Sequence, residues 1–250
     1  MLHVITRLAV AAAIALAVVG CTTDATGAGS SQAGARPVGS LSPPATAPPK
    51  HHKHHRAPAF HAGPGWTVRR ARSVLPHLRV HAAGSMRGYD RDRFGPAWED
   101  VDGDGCDTRN DILNRDLTAR TWDDAAHCEV RRGVLRDPYT GRLIHFRRGV
   151  ETSLAVQIDH MVALADAWRT GAARWRAGRR LAYANDPRVL IAVDGTANEQ
   201  KSDDDASQWL PPNRRFRCQY VADQVMIKAT YRLWVTPAER AAMAGVLRGC

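Results

Sequence analysis

Two short segments of the chain contain residues whose types and spacing suit metal-assisted hydrolysis. Asp159 directly precedes His160 in VQIDHMVALADAW, and Asn198 stands three residues before Lys201 in LIAVDGTANEQKSDDD. Carboxylate and amide oxygens are hard ligands that suit Mg²⁺ or a similar cation. An imidazole can accept a proton from water near neutral pH, and a lysine can hold phosphate charge as it builds. Together the four residues predict cleavage of a phosphodiester, and hence a nuclease.

The surrounding elements indicate how these residues are positioned. The string LAVQID predicts a strand that delivers Asp159 and His160 at its end, and VLIAV (189–193) predicts a short buried strand. Two apolar runs flank the turn sequence DPYTG in GVLRDPYTGRLIHF, which indicates a β-hairpin. Helices are predicted at residues 111–117, in MVALADAWRTGAARW, in YVADQVMIKATYRLW and after Thr236, where TPAE makes a capping box. A hairpin, further strands and several helices make an α+β domain.

The N-terminus has the features of an export signal. Arg7 precedes the apolar run LAVAAAIALAVV (8–19), which is too short to span a bilayer comfortably and suits the core of a signal peptide. The string VVGC, ending at Cys21, resembles the lipobox of bacterial lipoproteins; this implies cleavage before Cys21 and a lipid on its sulfur. The alternative is an ordinary secretory signal. We expect an extracellular protein, either lipid-anchored to the outer face of a bacterial cell membrane or secreted.

A long segment of low complexity follows this signal. Residues 22–65 are mainly Ala, Gly, Ser, Thr and Pro, a composition that predicts a flexible spacer. Within it, HHKHH (51–55) is either a metal-catching tract or a solvated charge run. Residues 66–84 are basic and sparse in core residues. The predicted organisation is a signal peptide at 1–20, a lipid-anchored linker at 21–84 and a nuclease domain at 85–250.

The net charge of +10 is concentrated in front of this domain. Residues 1–84 contain 9 of the 35 Lys and Arg residues and one of the 25 acidic residues, so residues 85–250 contain 26 basic and 24 acidic ones. The basic excess could hold the tether against anionic lipid, wall polymer or nucleic acid. Net charge alone therefore does not argue for a nuclease.

Four cysteines remain when Cys21 is set aside: Cys106, Cys128, Cys218 and Cys250. An even number in an oxidising compartment predicts two disulfides, with three possible connectivities. The local pairing of Cys106 with Cys128 and of Cys218 with Cys250 is favoured because each bond closes a short loop. No CxxC occurs in the sequence, which argues against a structural zinc knuckle.

Several strings, in order, resemble one protein family. From about Tyr89 to Cys250 the chain resembles the small secreted HNH-type nucleases of bacteria, which are related to the nuclease domain of a modification-dependent restriction enzyme. The matching strings are GCDTRNDIL, DPYTG, QIDHMVALADAW, AVDGTANEQKSDDDASQWLPP and YRLWVTPAE. The resemblance implies a ββα-metal (HNH) core with additional helices, and a phosphodiester hydrolase that acts on nucleic acid, with DNA as the expected substrate. We expect a monomer that meets the membrane only through its lipid anchor.

The resemblance also implies a role for each residue of the site. Asp159 would ligate a divalent metal, with Mg²⁺ favoured over Mn²⁺ or Ca²⁺, and Asn198 would be the second protein ligand. His160 would be the general base. Lys201, one helical turn after Asn198, would face the same way. HNH motifs usually carry a middle asparagine on the second strand, but Arg188 stands there in this chain, and we assign no residue to that position.

The string DVDGDGCDTRND supports two further expectations, each with an alternative. The resemblance suggests that Arg109 approaches the cleft and clamps phosphate; the alternative is an Arg–Asp pair that braces the helix start. Asp100, Asp102, Asp104 and Asp111 fall at positions 1, 3, 5 and 12 of an EF-hand loop, and could hold Ca²⁺. The alternative to a calcium site is a tight Asp/Gly turn.

Two other functions fit parts of the sequence. A degenerate HNH domain could serve as a non-catalytic envelope lipoprotein that binds nucleic acid or wall polymer. A calcium-stabilised structural protein of the envelope could rest on the acidic loop instead. The sequence has no phosphate-cradling glycine loop, G-x-S-x-G elbow or H-E-x-x-H motif, which argues against the enzyme classes that use them.

Overall fold

The structure is a computed structural model that describes residues 66–250. The predicted signal peptide, Cys21, the histidine tract at 51–55 and most of the predicted linker lie outside the described residues. Within residues 66–250, no helix is both long and apolar enough to cross a membrane.

The described residues form an α+β fold that contains two disulfides, as the sequence predicts. The helices are α1 (Val68–Val74), α2 (Thr108–Asp116), α3 (Leu164–Arg169), α4 (Ala177–Ala184), α5 (Gly195–Lys201), α6 (Arg217–Tyr231) and α7 (Pro237–Arg248). The strands are β1 (Thr118–Trp122), β2 (Val130–Arg136), β3 (Leu143–Arg147), β4 (Val156–His160) and β5 (Leu190–Asp194). Short 3₁₀ helices lie at Leu75–His77, Arg91–Phe94, Thr152–Ala155 and Ala172–Arg174.

The first three strands form an antiparallel sheet in the order β1-β2-β3. The predicted hairpin is β2 and β3, joined through the DPYTG turn. The inner face of the sheet packs on a core that it shares with α2 and the second sheet. Gly133 allows this contact, because a Cβ there would lie 2.5 Å from Leu117 Cδ2. Strand β1 was not predicted; it is mostly exposed and irregular, with a positive φ at Ala119, and lacks an alternating pattern.

Strands β4 and β5 form the second sheet and are the two strands predicted from LAVQID and VLIAV. They pair antiparallel, with Asp159 opposite Ile191 and His160 opposite Leu190. Residues 161–189 are inserted between them and contain α3 and α4. The single helix expected from MVALADAWRTGAARW is interrupted at Gly171, whose φ of 141° favours glycine. Helix α5 follows β5 directly, because the Asp194 side chain accepts from Ala197 N and caps the helix.

Helices α1, α6 and α7 enclose another part of the core, separate from the part that the two sheets share with α2. Thr236 and Glu239 form the capping box predicted for α7. Helix α1 packs against α6 and α7 and buries Ala71 completely, with Leu75 and Leu78 buried behind it. The domain boundary predicted at residue 85 is therefore too late. The segment looked sparse because its few buried apolar residues stand among arginines, although they are spaced for one helical face.

Two disulfides join neighbouring elements within the chain. Cys106–Cys128 links the segment before α2 to the segment before β2, and Cys218–Cys250 links the start of α6 to the C-terminus. Both bonds have the local connectivity that the sequence favoured.

Candidate active site

An open cleft of about 620 Å³ lies over β4 and the second half of α5. It brings together three of the residues predicted for the site: Asp159, His160 and Asn198. The remaining lining comes from the segment before α2, from β4, from the start of α3 and from the second half of α5 and the residues after it: Met86, Tyr89, Arg91, Gln157, Ile158, Ala163, Leu164, Ala165, Glu199, Ser202 and Asp203. The cleft thus lies between β4 and the helices α3 and α5.

His160 is held in one tautomer by the end of the inserted segment. Its Nε2 lies 2.9 Å from the carbonyl oxygen of Ala184, the last residue of α4. Carbonyls in the last turn of a helix lack an intrahelical partner, so this oxygen is available to accept. Since a carbonyl only accepts, Nε2 donates, and Nδ1 is left with its lone pair. The end of α4 thus fixes the orientation of the His160 ring.

Burial keeps the His160 ring neutral. Desolvation lowers its pKa to about 3; the hydrogen bond to Ala184 opposes this shift, and the charges of Arg91 and Lys201 add to it. The ring is flanked by Trp98 and Tyr183, with ring centroids 6.3 and 6.5 Å away and interplanar angles of 17° and 18°. His160 is therefore a neutral, oriented proton acceptor at the edge of the cleft.

Asp159 lies at the floor of the cleft between two buried partners. Its Oδ1 accepts from Lys201 Nζ at 2.9 Å, and its Oδ2 accepts from the Tyr139 hydroxyl at 2.5 Å. Burial raises the pKa of Asp159, while the charge of Lys201 and both hydrogen bonds lower it. The two contacts fix the carboxylate plane, and each oxygen retains a second lone pair for a further ligand.

The structure corrects the role expected for Lys201. Its side chain is fully buried, and Nζ donates to the Asp159 carboxylate and, at 3.0 Å, to the carbonyl of His160. It does not line the cleft, because the cleft-facing positions of α5 and its C-cap are 198, 199, 202 and 203. Three residues turn the helix by 300°, so Lys201 lies 60° from Asn198 around the helix axis, on the side away from Glu199 and Ser202. This side of α5 packs on the sheet. The lysine braces the floor of the site and is not positioned to hold phosphate.

Asn198 presents an oxygen to the cleft. Its Nδ2 donates to Gln157 Oε1 at 2.8 Å, and Gln157 in turn donates from Nε2 to Glu199 at 3.0 Å. These bonds orient the amide so that Oδ1 remains an acceptor. A cation could therefore meet a carboxylate oxygen and an amide oxygen in one cleft, the donor types that divalent ions such as Mg²⁺ prefer.

Arg109 does not line the cleft. Its guanidinium donates to the carbonyls of Val156, at 3.2 Å, and Ser153, at 3.5 Å, at the start of β4. This position corresponds to a bracing role, although the partners are backbone carbonyls and not the aspartate that we considered. Arg91, in the 3₁₀ helix at Arg91–Phe94, is the arginine that lines the cleft. Sequence reasoning missed it because the string RDRF has no motif around it.

Tyr139 was also missed, although its string DPYTG was recognised as a turn. The turn carries the tyrosine, completely buried, from the hairpin to the Asp159 carboxylate.

We expect Tyr139→Phe to lower metal affinity or activity about 10- to 100-fold, because partners of a metal ligand set its orientation. Tyr231→Phe is the matched control, since that hydroxyl donates to Asp186 at 2.6 Å, outside the cleft. Equal activity in both variants, measured at subsaturating metal, would contradict this role.

The acidic loop forms tight turns. Asp100 accepts from the backbone of Gly103 and Gly105, and Asp104 accepts from Cys106 N. The carboxylates of residues 100, 102 and 104 lie within 4.8 Å of one another, whereas Asp111 groups with Asp104 and Cys106. Burial, followed by the charges of neighbouring aspartates, raises the pKa of Asp111 to about 7. The turn hydrogen bonds account for the loop, and a calcium ion there stays a prediction.

The described chain is a disulfide-containing α+β protein whose cleft is lined by β4, the start of α3 and the second half of α5. Residues 107–246 match the family described as GmrSD restriction endonucleases, C-terminal domain, and the chain belongs to that family. It is also 36% identical over 183 residues to a protein of Arthroderma benhamiae named "Uncharacterized secreted protein", a match that covers 72% of this chain and 84% of that protein. No solved structure matches the chain. Family membership indicates a nuclease-like function with nucleic acid as substrate.

Proposed function

We propose that the protein is an extracellular, metal-dependent HNH endonuclease that hydrolyses phosphodiester bonds of nucleic acid, with DNA as its substrate. The observation that carries this proposal is the hydrogen bond between His160 Nε2 and the Ala184 carbonyl, which leaves Nδ1 with a lone pair in a residue that lines the same cleft as Asp159 and Asn198. The family match supports the nuclease class, and the name of the fungal relative and the two disulfides support an oxidising, extracellular setting.

The donor set of the cleft fits a hard divalent cation. Asp159 and Asn198 would hold the ion, leaving its other coordination positions for water and phosphate oxygens. The ion would stabilise the charge that develops on the phosphate and on the leaving oxygen. Lys201 and Tyr139 keep the Asp159 carboxylate in place, and Gln157 does the same for the Asn198 amide.

The proton of the attacking water passes to His160. Because the ring is neutral and Nε2 is already committed to Ala184, Nδ1 is the site that accepts it. The imidazolium then forms while its Nε2–H still donates to the same carbonyl, so no ring rotation is needed. Arg91, which lines the cleft, would contact a phosphate oxygen of the substrate.

The N-terminal features complete the proposal. A signal peptide at 1–20 would export the chain. Lipid on Cys21 would then hold the monomeric enzyme, through the linker, at the outer face of the cell membrane. Without the lipid, the same chain would be secreted into the medium.

Plasmid cleavage in defined metals tests the proposal. We expect the protein, refolded with its disulfides oxidised, to nick supercoiled plasmid with Mg²⁺ or Mn²⁺ and to be inactive in EDTA, because the proposed reaction needs the cation that Asp159 and Asn198 would hold. The whole chain is used, since α1 is part of the core. Cleavage of RNA alone would correct the substrate. Metal-dependent retention of both nucleic acids without any product, under all metals including Ca²⁺, would favour the non-catalytic binding protein.

A further inference from the structure

The outer face of the β1-β2-β3 sheet is exposed and strongly basic. Residues alternate along β2 and β3, so that Leu135 and Phe146 are buried in the core while Arg132, Arg136 and Arg147 point outward and are exposed. The three strands contain five arginines and no aspartate or glutamate. Residues 85–250 contain nearly equal numbers of basic and acidic residues, but these three strands contain only basic ones.

The outward arginines lack the partners that other arginines of the fold have. In the described part of the chain, Arg132, Arg136 and Arg147 form no ion pair or side-chain hydrogen bond, whereas Arg131 pairs with Asp123 and Arg188 with Asp186. Their side chains are free to meet an external anion.

Two of these arginines are placed where they oppose folding. Arg132 and Arg147 are directly opposite each other in the β2–β3 register, and like charges in such a pair are destabilising. A local rule broken without compensation within the fold is typical of a functional surface. An anionic partner would remove the repulsion.

We infer that this face, which we name the arginine face (Arg132, Arg136 and Arg147), is a second contact surface for the nucleic-acid substrate, where it binds backbone phosphates. The inference rests on the proposed function for its choice of polyanion. The guanidinium fork matches phosphate oxygens, which are presented along the whole backbone of a nucleic acid whatever its sequence.

The hairpin also connects the arginine face to the active site. The turn between β2 and β3 carries Tyr139, whose hydroxyl contacts Asp159. Arg136 adjoins this turn, and from Leu143 to Arg147 strand β3 extends about 13 Å further. A nucleic acid long enough to reach from the cleft to this hairpin would bring its backbone phosphates to the three arginines.

The test measures binding in EDTA, where no cleavage occurs. The triple variant Arg132→Ala/Arg136→Ala/Arg147→Ala is compared with Arg69→Ala/Arg176→Ala/Arg215→Ala, which removes the same charge from exposed arginines on other elements. The probe is a labelled duplex of about 30 base pairs titrated over a range of NaCl concentrations. For the arginine-face variant we expect affinity to fall by about 10-fold or more and the slope of log K against log salt to lessen by about 2 to 3, since each phosphate contact contributes about 0.9. The control should change far less.

Further readouts separate this surface from a structural role and from the nuclease itself. The melting temperature of the arginine-face variant should be unchanged or higher, because a repulsion is removed. In Mg²⁺, its loss in kcat/KM should be larger for the duplex than for a trinucleotide that fits the cleft alone. Equal loss of binding in both triple variants, or an unchanged salt slope, would overturn the arginine face. The arginine face would also be overturned if the arginine-face variant lost binding to anionic phospholipid vesicles but kept its binding to the duplex. If the wild type binds DNA through this face but never cuts it, the proposed function fails and the surface stands.

Discussion

His160→Ala is expected to lower plasmid cleavage by a factor of about 10² to 10⁴, the range that a positioned general base contributes. The variant removes the only ring nitrogen in the described cleft that is arranged to accept a proton, while Asp159 and Asn198 remain. Metal affinity should therefore be largely retained. The measurement is the initial rate of nicking in saturating Mg²⁺, with metal binding followed separately by calorimetry.

The control for His160→Ala is His77→Ala, which removes an exposed imidazole that does not line the cleft. Near-ultraviolet circular dichroism should show that both variants keep their tertiary packing. Added imidazole should restore part of the activity of His160→Ala, because the flanking rings of Trp98 and Tyr183 leave a slot of the right shape. Full activity of His160→Ala in saturating metal would remove His160 from the mechanism.

Asp223→Asn is expected to stabilise the protein at pH 8 by up to about 4 kcal/mol, with little effect near pH 4. Asp223 lies on α6, nearly buried, beside a cavity of about 300 Å³, and Gln219 donates to it at 2.7 Å. Burial raises the pKa of Asp223 to about 7 from 3.8. Asparagine keeps an acceptor for Gln219 and carries no charge.

The direction of this pH effect follows from proton binding. Between pH 3.8 and about 7, the folded state holds a proton on Asp223 that the unfolded state has lost. The stability due to this group is thus present at low pH and is lost as pH rises through 7. Urea unfolding at pH 4.5 and pH 8 measures the difference, with the exposed Asp92→Asn as control. Equal destabilisation by Asp223→Asn at both pH values would mean that the carboxylate has a stabilising partner.

The sequence predicted the local structure that depends on a few adjacent residues. Asp159 and His160 end a strand, DPYTG makes a turn and TPAE caps a helix, because each follows from a few adjacent residues. The local disulfide pairing followed for a similar reason, since a short loop brings its two ends together. Helix α5 follows its strand without a loop, so Asn198 could be placed beside Asp159.

The remaining errors concern contacts between distant segments. Lys201 was expected to face phosphate because i+3 spacing gives only an approximate direction; its true partner is set by the packing of α5 on β4. The resemblance suggested Arg109 for the cleft, with a bracing role as the alternative; Arg109 braces the start of β4, and Arg91, for which nothing was predicted, lines the cleft. Helix α1 is short and rich in arginine, and its burial depends on α6 and α7, more than a hundred residues later.

The long insertion between β4 and β5 determines which changes in chain length the site can tolerate. No tight turn sets the register of these two strands, and a shift of one residue would reverse the faces of Asp159 and His160. The ends of the insertion must therefore stay fixed: Met161 continues from β4, and Ala184 holds the histidine. Its middle contains residues 173, 174 and 176–178, which are exposed and do not line the cleft. Extra residues inserted at 176–178 should therefore leave the proton acceptor in its orientation.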